Sequence, residues 1–372
     1  MHPRDAALVR QEQSGAALLF ASHTRSVEVE RLIGLGWVHA IEPAGQVRPR
    51  VVLTEQQSTP EPGSARIPSS AWRLAQEAVR EGPVLVQVAR PGNAPALSCD
   101  RCREPARCVA CGGALAVPRG GGEPRCVLCG TSAGAWRCPV CDGTKLRAVT
   151  VGASRTAEEL GRAFPRSRVI LSDGERPVLR VGPEPALVVA TRGAEPIAAG
   201  GYRAVLLLDG ERMLLRESLR VAEDCLRWWS NAAALATPGA PVFLVGVGGA
   251  LATTFATWKQ PEWARAELAT RRALRFPPAV RVASVTASHA AVARAADAVR
   301  DVDGVDILGP APVDDDLERA IVRFDYAAGA RVARELRAEM IRVATERRRP
   351  VAGRAPRRPP VLRVRFDDPD VP

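Results

Sequence analysis

Between Cys99 and Cys141 the chain reads Cys99-Asp-Arg-Cys102-Arg-Glu-Pro-Ala-Arg-Cys108-Val-Ala-Cys111, then Gly112-Gly-Ala-Leu-Ala-Val-Pro-Arg-Gly-Gly-Gly-Glu-Pro-Arg125, then Cys126-Val-Leu-Cys129-Gly-Thr-Ser-Ala-Gly-Ala-Trp-Arg-Cys138-Pro-Val-Cys141. Eight of the nine cysteines fall here, in four C-x-x-C pairs. Two residues between thiols allow a tight turn that aims both sulfurs at one metal, and two such turns complete a tetrahedral four-thiolate site. Gly112 and Gly130 follow two of the pairs, where a chain turning around a metal often needs positive φ. Fourteen residues separate Cys111 from Cys126, a usual zinc-ribbon gap, so Cys108, Cys111, Cys126 and Cys129 are assigned to one Zn2+. Cys99, Cys102, Cys138 and Cys141 then close a second Zn2+ site around it. Sequential pairing stays open, although five residues between Cys102 and Cys108 leave little chain for it. With no His or carboxylate ligand, each site is expected to be structural and closed. The stretch is too short and too rich in Gly and Pro to hold itself together by apolar burial alone.

Around this insertion the 372 residues have the composition of a soluble globular chain, 46% hydrophobic and 25% charged. Their length suits two or three domains. No apolar run reaches the ~18–20 residues of a membrane span, and the N-terminus lacks a signal peptide's apolar stretch. A reducing, cytoplasmic location is expected, in which cysteines ligate metals rather than form disulfides. Lone Cys225, among apolar neighbours, reads as a core residue. The formal charge of +11 points to a polyanionic partner. Eight thiolates around two Zn2+ carry a net −4, which takes the chain to about +7. Arg101, Arg103, Arg107, Arg125 and Arg137 would sit beside these anionic centres, so some of them are expected to neutralise thiolates rather than bind phosphates. A phosphate-binding P-loop needs Gly-Lys-Ser/Thr. The two lysines, Lys145 and Lys259, follow Thr144 and Trp258, so neither fits.

Before the cysteines, Val27 to Leu35 and residues 71–81 read as helices, residues 43–70 as a surface linker, and Pro83 to Val88 as a buried strand. After them, Thr156-Ala-Glu-Glu159 looks like a capping box. Apolar runs at 169–171, 186–190, 205–208 and 242–245, separated by helical stretches, predict a parallel sheet with crossover helices. From about Trp263 the pattern becomes helix (263–274), strand, helix (290–302), strand, helix (328–345), a basic proline-rich stretch, and a closing strand in which Leu362, Val364 and Phe366 alternate with Arg363 and Arg365.

The four-pair array follows Arg90-Pro-Gly-Asn-Ala-Pro-Ala-Leu-Ser-Cys99, and other matches follow: Glu158-Glu159-Leu160 with Phe164-Pro165, Ala266-Glu-Leu268 through Arg271-Arg-Ala-Leu274 to Phe276-Pro-Pro278, Leu308-Gly-Pro-Ala-Pro312 and Arg365-Phe-Asp-Asp-Pro369. Over residues 80–372 these resemble the PriA family of primosomal replication-restart proteins. Residues 1–45, with Leu18-Leu-Phe-Ala-Ser-His-Thr-Arg-Ser26, resemble the end of that family's first helicase lobe. The resemblance implies an α/β fold: a RecA-like second helicase lobe (83–98 and 146–262) carrying a zinc-binding insertion (99–145), with a linker and helix before it (46–82) and an α+β C-terminal domain (263–372).

The departures bear on activity. Where family helicases couple nucleotide to DNA through a lysine-containing segment, this chain has Ala190-Thr-Arg-Gly-Ala-Glu-Pro-Ile-Ala-Ala-Gly200. Where they present arginines to the transferred phosphoryl group, it has Trp228-Trp-Ser-Asn-Ala-Ala-Ala-Leu235. Leu206-Leu-Leu-Asp209-Gly-Glu211 imitates a Walker B strand end and reads as a sheet-edge carboxylate. These features resemble the actinobacterial branch that has lost helicase activity, and they argue against ATP as a cofactor. No catalytic residue is assigned. The resemblance implies a DNA-binding, primosome-assembly role at stalled or branched forks, with branched or single-stranded DNA, single-stranded-DNA-binding protein and helicase-loading components as partners. Arg342, Arg347, Arg348, Arg349, Arg357 and Arg358 are candidate phosphate contacts. Two competing expectations are an ATP-dependent 3′–5′ DNA helicase whose ATPase half is absent from this chain, and a zinc-ribbon interaction scaffold without a DNA role.

Overall fold

A computed structural model describes residues 3–42, 45, 48–54, 67–89, 97–102, 104–117, 122–126, 131–148, 157–158, 160–162, 164, 167–214, 218–313, 316–345 and 361–368. In chain order the strands are β1 (Arg50–Leu53), β2 (Val84–Val88), β3 (Leu97–Cys99), β4 (Leu115–Ala116), β5 (Arg125–Cys126), β6 (Leu146–Ala148), β7 (Arg168–Ser172) and β8 (Arg180–Val181). They continue with β9 (Ala186–Thr191), β10 (Ile197–Ala198), β11 (Ala204–Leu207), β12 (Pro241–Leu244), β13 (Arg281–Ala287), β14 (Val305–Pro312), β15 (Glu318–Phe324) and β16 (Arg363–Phe366). The chain divides into two compact units, one of residues 22–26 and 39–264, the other of 1–21, 27–38 and 265–372.

The first unit is built on a six-stranded sheet in the order β1-β12-β11-β2-β9-β7, every pairing parallel. Its inner strands are apolar at nearly every position because both faces are covered, as parallel sheets require. Leu85, Val188, Val205, Leu207, Val242 and Leu244 share one core with Cys225, Leu226 and Trp229 of helix Val221–Ala233 and Phe255 of helix Gly249–Thr257. The alternate residues Val84, Val86, Leu187, Val189, Leu206 and Phe243 form the other core, with Ala71, Ala75 and Val79 of helix Ser69–Glu81 and with Leu160 and Phe164. Cys225 is fully buried, as its apolar neighbours suggest. The cysteine-rich insertion leaves from the carboxyl end of β2, where ligands and added segments gather in open α/β sheets. It enters on β3 and leaves on β6, which pair antiparallel.

The stretch read as a linker carries β1 at one edge of the sheet, hydrogen-bonded in register along β12. Thr54 extends the contact, its backbone N–H donating to the Leu244 carbonyl at 3.2 Å. A four-residue strand held on one side only, with Pro, Gln and Ser close by, has too short an apolar run to stand out from its surroundings. Thr156, Glu159, the turn at 91–93 and residues 55–66 lie outside the described residues.

The second unit has an antiparallel sheet in the order β14-β15-β13-β16. Its core joins Val285, Val322 and Phe324 to Val292, Ala295 and Val299 of helix His289–Arg300 and to Val332 and Leu336 of helix Gly329–Thr345. Two strands, not one, separate these helices. Most of β14 is exposed, and its Gly-Pro-Ala-Pro run shows no alternation from which a strand could be read. Leu362 is buried and Val364 half-buried, but Phe366 is 37% exposed, so the closing alternation fades toward its end. The buried Asp368 accepts a 2.5 Å hydrogen bond from Ser284 Oγ. Helices Pro3–Ser14 and Val27–Gly34 belong to this unit. Arg4 pairs with Glu28 at 3.1 Å, and the Arg31 guanidinium lies 3.7 Å above the Tyr326 ring.

Phe243 is fully buried in β12. Phe243→Ala should cost about 3–5 kcal/mol by the usual cavity penalty, read as a lower denaturation midpoint with an unchanged slope.

Candidate metal centre

The insertion repeats one local device. In each of the four C-x-x-C turns the first cysteine's backbone N–H donates to the carbonyl five residues on: Cys99 to Glu104, Cys108 to Gly113, Cys126 to Thr131 and Cys138 to Gly143, at 2.7 to 2.9 Å. Around three of the turns an isolated antiparallel bridge closes the loop, Ser98 with Pro105, Arg107 with Ala114 and Arg125 with Ser132. A chain reversing this tightly needs a left-handed residue after the second cysteine. Gly112 takes φ +74° and Asp142 φ +56°; Gly and Asp are among the residues that tolerate this region. Gly130 lies outside the described residues.

These turns carry sulfurs from distant parts of the sequence together. The Sγ atoms of Cys99, Cys102, Cys138 and Cys141 all lie within 4.8 Å of one another, as do those of Cys108, Cys111 and Cys126. Cys129 is outside the described residues. The closest sulfurs are Cys99 to Cys141 at 3.5 Å, Cys102 to Cys138 at 3.4 Å and Cys111 to Cys126 at 3.4 Å. A tetrahedron with Zn–S bonds of about 2.3 Å has edges of about 3.8 Å, so this spacing fits a four-thiolate metal with little adjustment. The backbone N–H of Ala110 points at Cys108 Sγ, 3.4 Å away.

Electrostatics in the outer cluster ask for a cation. The Cys99 thiol is lowered to about 7, first by the backbone N–H of Cys102. Cys102 is pushed up to about 12: the backbone N–H of Glu104 lowers it, but desolvation and the sulfurs of Cys138, Cys141 and Cys99 outweigh that bond. A divalent cation among these sulfurs would hold Cys102 as a thiolate beside Cys99. The residues present thus fit such an ion. Gly143 is a further requirement, since a Cβ there would lie 3.1 Å from Cys99 Sγ and 3.3 Å from Cys141 Sγ.

The sulfur clusters share one small apolar core: Leu97, Ala106, Leu115, Ala133 and Trp136 pack with Cys99, Cys108, Cys126 and Cys138. Trp136 is 5% exposed, and its indole N–H donates to the Arg107 carbonyl at 3.0 Å. Neither Trp136 nor Gly143 stands out in the sequence; the signal for Gly143 is its place two residues after Cys141. Of the arginines beside the cysteines, Arg101 donates to the Cys141 carbonyl and Arg107 to the Gly112 carbonyl. Both guanidiniums brace the turns. Arg125 and Arg137 are exposed, and Arg103 is outside the described residues.

At the carboxyl edge of the parallel sheet, residues 190–200 and 228–235 touch each other. The Arg192 guanidinium stacks 3.9 Å from the Trp228 ring. Buried Gln87 donates to Glu195 Oε1 at 2.6 Å and to the Trp228 carbonyl at 3.2 Å. Asp209 uses one carboxylate oxygen for the Ala89 backbone N–H and the other for Arg212, so it clamps the strand ends. Among the candidate phosphate contacts, Arg342 pairs with Glu339 at 2.6 Å; Arg347, Arg348, Arg349, Arg357 and Arg358 lie outside the described residues. No helix among the described residues is long and apolar enough to cross a membrane.

The chain is 40% identical over 363 residues to the "Probable replication restart protein PriA" of Mycobacterium leprae, covering 90% of this chain and 56% of that protein. Against the proteins of the same name from Mycobacterium bovis and Mycobacterium tuberculosis the identity is 40% over 368 residues, with the same coverage. Residues 272–370 match the family model of the primosomal protein N C-terminal domain. Over the shared portion the chain is homologous to PriA replication-restart proteins. It spans about half the length of these mycobacterial PriA relatives. The C-terminal match covers the antiparallel sheet β13 to β16 and its two helices, whereas the PriA relatives extend across nearly the whole chain, the cysteine insertion included.

Gly143→Val should loosen the outer sulfur cluster alone. The expected outcome is fewer metal equivalents by elemental analysis than in the unchanged chain, with the far-UV signal of the parallel sheet kept.

Proposed function

We propose that this protein is a zinc-containing, DNA-binding replication-restart factor that recognises stalled or branched forks and promotes reloading of the replicative helicase, without helicase activity of its own. The observation that carries the proposal is 40% identity to proteins named replication restart protein PriA, in a chain whose cysteines converge in two sulfur clusters. In this reading residues 83–98 and 146–262 are a RecA-like second lobe, 99–145 a module with two Zn2+, 263–372 the C-terminal domain, 46–82 a linker and helix, and 1–45 a first-lobe remnant. Cys99, Cys102, Cys138 and Cys141 hold one Zn2+, and Cys108, Cys111, Cys126 and Cys129 the other. The ions supply structure: about 10 kcal/mol or more of folding free energy for each site, where the apolar core is small.

The non-catalytic reading rests on chemistry the chain lacks. Within the residues present, the apolar Trp228 to Leu235 segment offers no cation to a transferred phosphoryl group. Arg192 and Glu195 are engaged with Trp228 and Gln87. What remains is a basic protein, +11 before metal binding, suited to reading DNA by backbone and shape. Branched or single-stranded DNA, single-stranded-DNA-binding protein and helicase-loading components are its proposed partners, in the cytoplasm.

Binding to a forked DNA, measured by fluorescence anisotropy across salt concentrations, should weaken with a log K versus log salt slope of about −3 or steeper, as several released counterions require. ATP turnover with the same fork should stay at the no-protein background. A slope near zero would point to a protein-only scaffold, and fork-stimulated hydrolysis to a helicase.

Removing metal with a strong chelator should unfold the insertion selectively. Limited proteolysis is expected to cut between residues 99 and 145 while the β13–β16 unit persists, and zinc should restore protection.

A further inference from the structure

Resting on the reading of the two sulfur clusters as metal sites, we infer that the sites load cooperatively and that Trp136 is the positioning residue that couples them. Three features join the clusters. The outer ligand Cys99 ends β3, whose Leu97 carbonyl accepts from the Ala106 backbone N–H at 2.9 Å; the Ala106 carbonyl accepts from Leu115 at 3.2 Å, at the start of β4. Leu115 pairs in turn with the inner ligand Cys126 across β4 and β5. A ladder of backbone bonds thus runs from the outer cluster to the inner one.

Trp136 closes the circuit from the other side. Its backbone lies two residues before the outer ligand Cys138, and its indole N–H holds the carbonyl of Arg107, one residue before the inner ligand Cys108. Its own backbone N–H donates to Ala133, whose N–H donates to Pro124, two residues before the inner ligand Cys126. The ring is buried among cysteines of both clusters. Fixing either set of sulfurs therefore fixes the indole, and a fixed indole places the other set.

Nesting adds to this. The outer site must close a loop of 36 residues from Cys102 to Cys138, and a formed inner site bypasses the middle of that loop and about halves it. Halving a flexible loop is worth about threefold in affinity. One side-chain hydrogen bond typically adds a factor of about three to ten. The expected coupling is on the order of tenfold or more, with the same factor in both directions, as linkage demands.

The test titrates the full chain, stripped of metal, with Co2+ and follows the thiolate-to-metal absorption under chelator competition. Removing the inner site by Cys108→Ser with Cys111→Ser should weaken Co2+ at the outer site on the order of tenfold. Removing the outer site by Cys138→Ser with Cys141→Ser should weaken the inner site by the same factor. Trp136→Phe keeps the ring but not the donor, and in that background the same removals should cost only about threefold. Far-UV spectra check that the parallel sheet persists in every variant. Equal affinity at one site with the other present or absent would overturn the coupling, and an unreduced factor in Trp136→Phe would remove the indole from it. An intact chain that develops no thiolate-to-metal band would defeat the metal reading itself, and this inference with it.

Discussion

The insertion depends on one repeated constraint: a cysteine backbone N–H bound to the carbonyl five residues later, with a second cysteine between them. That bond sets both sulfurs of a turn on the same side. Four such turns, each closed in this way, convert a stretch with little periodic secondary structure into four pre-aimed pincers. The residual conflict is electrostatic. In the outer cluster Cys99 is lowered, first by the Cys102 backbone N–H, while desolvation and the neighbouring sulfurs push Cys102 up. On the proposed reading a divalent ion resolves that conflict and supplies the stability that a core of Leu97, Ala106, Leu115, Ala133 and Trp136 is too small to provide.

The parallel sheet gives this module its footing. A strand buried on both faces is the most rigid platform available, and β2 is buried at all five positions. The module departs from the end of β2 and is pinned at its own base by β3 pairing with β6. The β3–β6 pair brings the two ends of the module together, while the sulfur clusters beyond it are set by the turns. Asp209 reinforces the same edge: the carboxylate that follows β11 binds the Ala89 backbone N–H just beyond β2.

Much of this was legible in the sequence, for identifiable reasons. Buried parallel strands such as Ala186–Thr191 announce themselves as unbroken apolar runs, and C-x-x-C spacing announces pincers. The gap lengths also group the sulfurs that the structure draws together, outer with outer and Cys108 and Cys111 with Cys126. What escaped were elements whose stability comes from a single neighbour. Strand β1 is an edge strand inside a polar stretch, β14 is an exposed hairpin arm with two prolines, and helix Pro3–Ser14 has no buried residue. Trp136 escaped because its role lies in one indole N–H reaching 29 positions back along the chain, a distance no periodicity reports. Gly143 escaped because its constraint is an absent atom next to two sulfurs.

The same logic applies to the polar groups at the carboxyl edge of the parallel sheet. At the carboxyl edge of such a sheet, polar groups that no longer meet a ligand must find partners inside the protein or remain costly. Here Glu195 takes the Gln87 amide and the Gly193 N–H, Arg192 lies flat on Trp228, and Asp209 is spent on backbone and Arg212. On the proposed reading, adding a single arginine to the Trp228–Leu235 segment would add a charge without freeing Arg192, Glu195 or Asp209 from these partners.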